Sequence, residues 1–505
     1  MPTTSRPVRV MAGFYLAQDD PLRDSYHAGR MRGRGRESDG MQVADVSFAR
    51  FVYPFVFKDA DASSLQAIVH RLKAAGWAAG AFPEGDLLPH VRDYLNPGDD
   101  GEATAYLLTL AQANLERLAQ QTLCPVHPTP PQWQIDLPDR CLPFVLQGAQ
   151  LAIFRGGIAL LTLDARPEST ALSDWLDFVY HFRAFAGEAG ETQDLSAPTL
   201  HCGDATLKGV KPLIDHLLEP AHPHAVKDLF MRNLMLPFTA LYVEGELSEA
   251  EKYRLLYRVR LCFSSQHELY PPCAELRPDH PCLLEYAQDM WFTFAQQAAG
   301  FVAFNAPSDP KSFFRADLPR RLRNRYFLLY QLALHQKFML MHLSDQVSES
   351  WLRGDEATRM ATFTRIRDAL LEFTARGYFA QVMQLEQHHS YYCRWRETLQ
   401  LETLYQEVSD EVREMHDYLQ LQLERRRVEQ SERLNRTVFA LTGATVFFAL
   451  PSLFVSFLGA NVRTLEQWDN AWQPYWWGVG LALFALLGVM IVAAIALAFA
   501  RTKQR

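Results

Sequence analysis

The sequence predicts an α+β membrane protein with an N-terminal α/β domain, a long helical stalk and two C-terminal transmembrane helices. Residues 437–462 and 471–500 contain no charged residue, and each run exceeds the ~20 residues that cross a bilayer as a helix. Residues 394–434 are heavily charged and contain no glycine or proline, which favours one long helix. Before residue 310, strand-like runs alternate with helical patterns, as in an α/β domain.

The composition and the motifs of the chain argue against several classes of protein. The 505 residues have room for two or three domains, and the net charge of −8 argues against a nucleic-acid binder. The seven dispersed cysteines do not indicate a disulfide framework. The first residues lack the apolar segment of a signal peptide, so we expect the N-terminal domain in the cytoplasm. No phosphate-loop, dinucleotide, nucleophile-elbow or zinc-protease motif occurs, so we expect neither an enzyme nor a bound cofactor.

The α/β domain is predicted to span residues 1–310. The clearest element is a hairpin, in which two apolar runs flank Arg155-Gly156-Gly157. Further strands and helices follow from aromatic or β-branched runs and from helical spacing of apolar residues. The predicted strands are 8–15, 47–58 with a break at Pro54, 151–154, 158–163, 238–244 and 301–304; the helices are 62–76, 103–121 and 172–185; 124–138 is a proline-rich loop.

The helical bundle and stalk are predicted to span residues 311–436. Long helices are expected over 317–347 and 358–388, and the stalk from residue 394 should run unbroken into the membrane. Apolar positions recur along the stalk at roughly helical spacing. They would pack either against neighbouring stalks of an oligomer or inside a bundle formed by one chain. These positions are Leu399, Leu401, Leu404, Val408, Val412, Met415, Leu419 and Leu423.

The first transmembrane helix, 437–462, has a distinctive face. Steps of three and four from Asn435 reach small and mostly polar residues, whereas the other faces carry phenylalanine and leucine. Such a helix is typical of a helical bundle that surrounds a central transport pathway. The alternative is that small residues only let the helices pack closely. The face consists of Val438, Thr442, Thr445, Ala449, Ser452 and Ser456.

The remaining C-terminal segments set the topology. A loop at 463–475 precedes the second transmembrane helix, 476–500, and a basic tail closes the chain at 501–505. An interfacial aromatic belt is predicted from Trp472, Tyr475, Trp476 and Trp477. Arginines precede the first span and basic residues follow the second, whereas the loop is slightly acidic. The positive-inside rule therefore places both termini in the cytoplasm.

The first span ends in Gly459-Ala460-Asn461, and this pattern resembles the CorA-like divalent-cation transporters, the two-transmembrane Gly-x-Asn superfamily. Magnesium members usually read Gly-Met-Asn and ZntB-type zinc transporters Gly-Val-Asn. Asn435 precedes Asn461 by 26 residues, as in the family, and Pro451 matches the family's proline with a shift of about one residue. The resemblance covers roughly residues 320–505. It implies a cytoplasmic funnel domain, a homopentamer and a location in the bacterial inner membrane.

The resemblance also implies a site. Rings of Asn461 amides and Gly459 carbonyls would hold a hydrated Mg²⁺ through its waters at the outer mouth, with Zn²⁺, Co²⁺ or Ni²⁺ as other ions. Asn461 could equally cap the helix and bond the loop. Family apolar constrictions correspond to Val438 and Leu441. The further implied residues are hydroxyls at Ser456, Ser452, Thr445 and Thr442, the inner ring of Asn435, and entrance acids Glu466 and Asp469.

Two other functions stay open. CorA-like proteins also accompany type III CRISPR systems as membrane effectors gated by a nucleotide messenger, and a non-conducting membrane scaffold is the third hypothesis. The expected partners are further copies of the chain, the lipid bilayer and divalent cations.

Two His/Cys groups lack the paired spacing of a zinc site. They are His201, Cys202, His216, His222 and His224, and Cys262, His267, Cys273, His280 and Cys282.

Overall fold

The computed structural model divides into two compact units. One contains residues 1–339 and 376–402, and the other contains 340–375 and 403–505. The predicted strand at 8–15, the signature Asn461 and the acids Glu466 and Asp469 lie outside the described residues. The described residues are 41–57, 62–97, 104–123, 132–185, 197–203, 205–221, 226–228, 233–267, 271–272, 275, 277, 279–307, 309–353, 356–459, 475, 478–480, 482–483, 485–490 and 493.

The first unit is built on one sheet, in which fourteen strands are described. Neighbouring strands are antiparallel except for the eleventh and fourteenth, which are parallel. The strands are β1 (Gln42–Val43), β2 (Phe48–Phe57), β3 (Ala78–Gly80), β4 (Ala105–Ala111), β5 (Trp133–Asp136), β6 (Cys141–Phe154), β7 (Ile158–Pro167), β8 (Thr199–Cys202), β9 (Ala205–Lys208), β10 (Val226–Asp228), β11 (Leu236–Glu244), β12 (Leu283–Ala287), β13 (Met290–Phe294) and β14 (Ala299–Phe304).

The strand order is β12-β13-β14-β11-β2-β7-β6-β5-β8-β9, with β1 beside β11, β10 beside β2, β4 beside β6 and β3 beside β4. The helices are α1 (Ala62–Ala74), α2 (Pro89–Leu95), α3 (Gln112–Leu123), α4 (Leu172–Phe182), α5 (Lys211–Leu218), α6 (Glu249–Leu261), α7 (Phe313–Ala316), α8 (Leu318–Arg321), α9 (Phe327–Arg353), α10 (Glu356–Arg376), α11 (Glu386–Thr398) and α12 (Leu401–Gly459).

Both faces of the sheet are covered within the first unit. On one face, Phe51 of β2 packs against Phe178 and Phe182 of α4, with ring centroids 6.0 and 4.6 Å away. On the opposite face, Phe154 of β6 stacks on His335 of α9 at 4.1 Å. Alternation along each strand sends successive side chains to opposite faces, so β2 is buried throughout its length.

Several predicted elements are confirmed. The hairpin around Gly156 is formed by β6 and β7, the helices at 62–76 and 172–185 correspond to α1 and α4, and the strands at 238–244 and 301–304 lie within β11 and β14.

The predicted break at Pro54 is wrong, because β2 runs continuously through it. On one side β7 pairs along the whole region and places Leu160 opposite Pro54. On the other side β11 ends its pairing at Val52 and β10 begins at Phe55. Pro54 thus lies in the gap between two partner strands, where a missing N–H costs no ladder bond.

Two further predictions on the first unit are wrong. The helix predicted at 103–121 is helical only in its second half, since 105–111 form β4 between β3 and β6. The apolar run that starts this segment suits a sheet as well as a helix, and periodicity alone does not separate them. The loop predicted at 124–138 contains β5, which pairs with β6 and β8.

The long helices are more broken than predicted. The helix at 358–388 is interrupted between α10 and α11, where the carbonyl of Gly377 accepts from Gln336 Nε2 at 3.0 Å instead of from its own helix. The stalk predicted from residue 394 is interrupted at Gln400, whose φ of 54° is left-handed. Leu399 and Leu401 are both buried, which an unbroken helix would place about 200° apart. Beyond this break, α12 continues for 59 residues.

Candidate functional site

Helix α12 has two parts that differ in their surroundings. Val408, Val412 and Met415 are buried, and the adjacent Glu411 accepts from Ser344 Oγ at 3.3 Å. Burial raises the pKa of the Glu411 carboxyl. The stalk's apolar positions are therefore packed inside the chain in this part. Farther along, the large apolar residues are exposed, namely Leu421, Leu423, Val428 and Leu434.

The predicted site residues on α12 share one face of the helix. At about 100° per residue, those between Asn435 and Gly459 fall within about 120° of arc. Those whose side chains are described are exposed in the single chain. The α12 helix thus brings together, in one stripe, Asn435, Val438, Leu441, Thr442, Thr445, Ser452, Ser456 and Gly459.

The hydroxyls of this stripe are oriented by the helix backbone. Thr442 Oγ1 donates to the Val438 carbonyl, Thr445 Oγ1 to the Leu441 carbonyl and Ser452 Oγ to the Phe448 carbonyl, each at 2.8 Å. Because each proton is used within the helix, the oxygen presents its lone pairs outward. Such oxygens accept hydrogen bonds from the water shell of a cation without adding full charge. These hydrogen bonds are not among the predictions from the sequence, although serine and threonine inside a helix commonly make them.

Large apolar residues in this part of α12 are also uncovered, and Leu441 of the stripe is one of them. Leu441 is 70% exposed and Phe448 is 69% exposed, and Phe447 and Leu453 are also exposed. Apolar surface of this extent indicates a covering partner or solvent that is itself apolar. Among the residues that the structure describes, no helix meets both the length and the apolarity that a membrane crossing requires.

The His/Cys groups singled out in the sequence do not come together in the described part of the chain. His201 Nε2 lies 2.9 Å from Asp136 Oδ2, and His267 Nδ1 lies 2.6 Å from Ser264 Oγ. No three His, Cys, Asp or Glu side chains in the described part are arranged to hold a metal ion. His222, His224 and Cys273 lie outside it.

One comparison with known proteins addresses the part of the chain that contains α12. Residues 343–499 match the family model described as CorA-like Mg²⁺ transporter protein. No curated protein matches the chain. A solved structure, the complete CorA magnesium transporter from Methanocaldococcus jannaschii, aligns at 13% identity over 52% of this chain and 92% of its own, with a TM-score of 0.21. The family match confirms, over residues 343–499, the resemblance to CorA-like transporters that the sequence predicts.

Proposed function

We propose that the chain is a divalent-cation channel or transporter, with Mg²⁺ as the leading ion, in which several copies assemble around a common axis. The support is the coincidence of the CorA-like match with the stripe on α12. Two helices per chain cannot enclose a pore, so identical copies must each contribute one stripe. The proposed assembly is a homopentamer in the bacterial inner membrane, with both termini in the cytoplasm.

In this proposal the charge-free run 437–462 crosses the bilayer with its hydroxyl stripe toward the axis. Exposed bulky residues such as Phe447 would then face lipid or the neighbouring copy. Rings of Asn435 at one end and Asn461 at the other would hold the ion through its waters, since Mg²⁺ loses its hydration shell reluctantly. Val438 and Leu441 would form apolar constrictions that close the pore by losing water. Glu466 and Asp469 would attract cations to the entrance.

Asn461→Ala is the substitution that tests this proposal. The purified protein is reconstituted in liposomes that contain a magnesium-sensitive dye, and uptake of Mg²⁺, Zn²⁺, Co²⁺ and Ni²⁺ is measured in turn. We expect wild type to conduct Mg²⁺ and N461A to conduct none, because the amide ring that orients the hydrated ion is lost. Light scattering on the detergent-solubilised protein should show the same oligomer for both.

Asn470→Ala is the matched control, because it removes the same kind of side chain nine residues beyond the signature, in the predicted loop that follows it. N470A should conduct like wild type. Equal flux through N461A and wild type would reject the role of the Gly-Ala-Asn ring, and a monomeric wild-type protein would reject the pore itself.

A further inference from the structure

A polar cleft of about 230 Å³ opens on the sheet of the first unit. The strand register explains its position. Arg50 of β2 lies opposite Asp164 of β7, which in turn lies opposite Gly148 of β6. Thr162 and Gln150 form the next row on the same face. Glycine beside two charged residues leaves space in the middle of the sheet, and the cleft has several times the roughly 30 Å³ that one water occupies.

Asp164 is shared between two guanidinium groups. Its Oδ2 lies 3.3 Å from Arg50 Nε and 2.7 Å from Arg323 Nη1. Arg50 also donates from Nη1 to the carbonyl of Arg323 at 2.6 Å. Among the described residues, the charges that act on Arg50 are Asp164 and Arg323. One carboxylate against two guanidinium groups leaves a net positive charge beside the cleft.

This positive charge is largely removed from water. Arg50 is buried, and its guanidinium also lies over the ring of Phe327, 4.6 Å from the centroid. Burial lowers the pKa of Arg50 below its ordinary value. A buried charge without full compensation is costly, whereas an anion in the adjacent space would offset that cost.

A second feature of the cleft also indicates a site for an anion. Thr162 lines it and is 1% exposed, yet its Oγ1 has no hydrogen-bond partner in the described part of the chain. A buried hydroxyl normally finds a partner. A hydrogen-bond acceptor in the cleft would be a partner for the Thr162 hydroxyl. An oxyanion is such an acceptor, and it would also neutralise the excess positive charge.

We propose that this cleft is a binding site for a small oxyanion, a phosphate group, contacted by the guanidinium of Arg50 and the hydroxyl of Thr162. The site belongs to the sheet of the first unit and does not depend on the proposed pore. The phosphate group is either free inorganic phosphate or the phosphate of a larger molecule such as a nucleotide.

Isothermal titration calorimetry on the full-length, detergent-solubilised protein in chloride buffer tests the proposal. One arm titrates inorganic phosphate and the other AMP. We expect saturable binding of phosphate; tighter binding of AMP would identify the group as carried by a nucleotide. Thr162→Val should weaken binding about tenfold or more, because a hydrogen bond to a charged group is lost without a change of shape. Gln150→Glu should weaken it similarly by placing a negative charge in the cleft.

Thr293→Val is the matched control. Thr293 is also 1% exposed in the same sheet and its Oγ1 also lacks a partner in the described part, but it does not line the cleft. T293V should bind phosphate like wild type. Weaker binding in T162V or Q150E with T293V unchanged supports the site. No binding of either ligand, or equal binding in wild type, T162V and Q150E, would overturn it.

Discussion

Phe51 of β2 and Phe448 of α12 are both phenylalanines in long, regular elements, but their exposures are 0% and 69%. Phe51 contacts two rings of α4, so the first unit covers its own apolar surface. Around Phe448, the large apolar residues whose side chains are described are mostly exposed. The sheet therefore covers its apolar side chains within the single chain, whereas the end of α12 leaves large apolar side chains exposed.

The largest expected effect is the difference in stability between variants that shorten these two phenylalanines. Phe51→Ala should lower the free energy of unfolding by about 3–5 kcal/mol, because it leaves a cavity in a packed core. Phe448→Ala should change it by less than about 0.5 kcal/mol in detergent, since detergent replaces the lost contacts. Chemical denaturation followed by tryptophan fluorescence measures both. A similar loss in the two variants would show that Phe448 is packed by protein.

The same comparison can be made within α12. Met415→Ala should destabilise the chain by about 2–3 kcal/mol, because Met415 is 6% exposed. Leu423→Ala is the matched variant eight residues farther on, where the side chain is 42% exposed, and it should leave unfolding of the single chain nearly unchanged.

Leu423→Ala also separates the two hypotheses for the stalk. If neighbouring stalks pack together at this level, the variant should dissociate at higher protein concentration than wild type in light-scattering measurements. An unchanged assembly would indicate that Leu423 has no neighbour in another copy.

The two regions also differ in how far the sequence predicts them. The hairpin around Gly156 and helix α4 follow from local patterns, since turn glycines and helical spacing act within a few residues. β4 does not, because its strand form depends on pairing with β3 and β6, which lie elsewhere in the chain. The break at Gln400 likewise depends on burial of the two leucines beside it.

The arrangement of the candidate site along one face of α12 could be predicted from the sequence, whereas the cleft in the first unit could not. The stripe from Asn435 to Gly459 depends only on helical spacing, and α12 is helical throughout that range. The back-bonding of Thr442 and Thr445 adds the direction of their lone pairs. By contrast, the cleft at Arg50 combines residues from β2, β6 and β7 with Arg323, and no local motif joins them.

The smallest expected effect is a pH dependence that belongs to the sheet-containing unit. His335 stacks on Phe154, its Nε2 lies 3.1 Å from Tyr94 Oη, and burial lowers the pKa of its imidazole to about 3. The folded chain therefore holds the ring neutral, while the unfolded chain protonates it below about pH 6.5. The stabilisation is fully present above pH 6.5 and is lost as pH falls toward 3, by about 2 kcal/mol at pH 5.

His335→Gln removes this proton-binding group while keeping a polar side chain near Tyr94. Denaturation at pH 7 and pH 5 should show a smaller loss of stability in H335Q than in wild type. His416→Gln, at an exposed position of α12, is the control and should keep the wild-type difference. An equal loss in wild type and H335Q would mean that the imidazole is solvated in the folded chain, and that this part of the sheet face is as open as the end of α12.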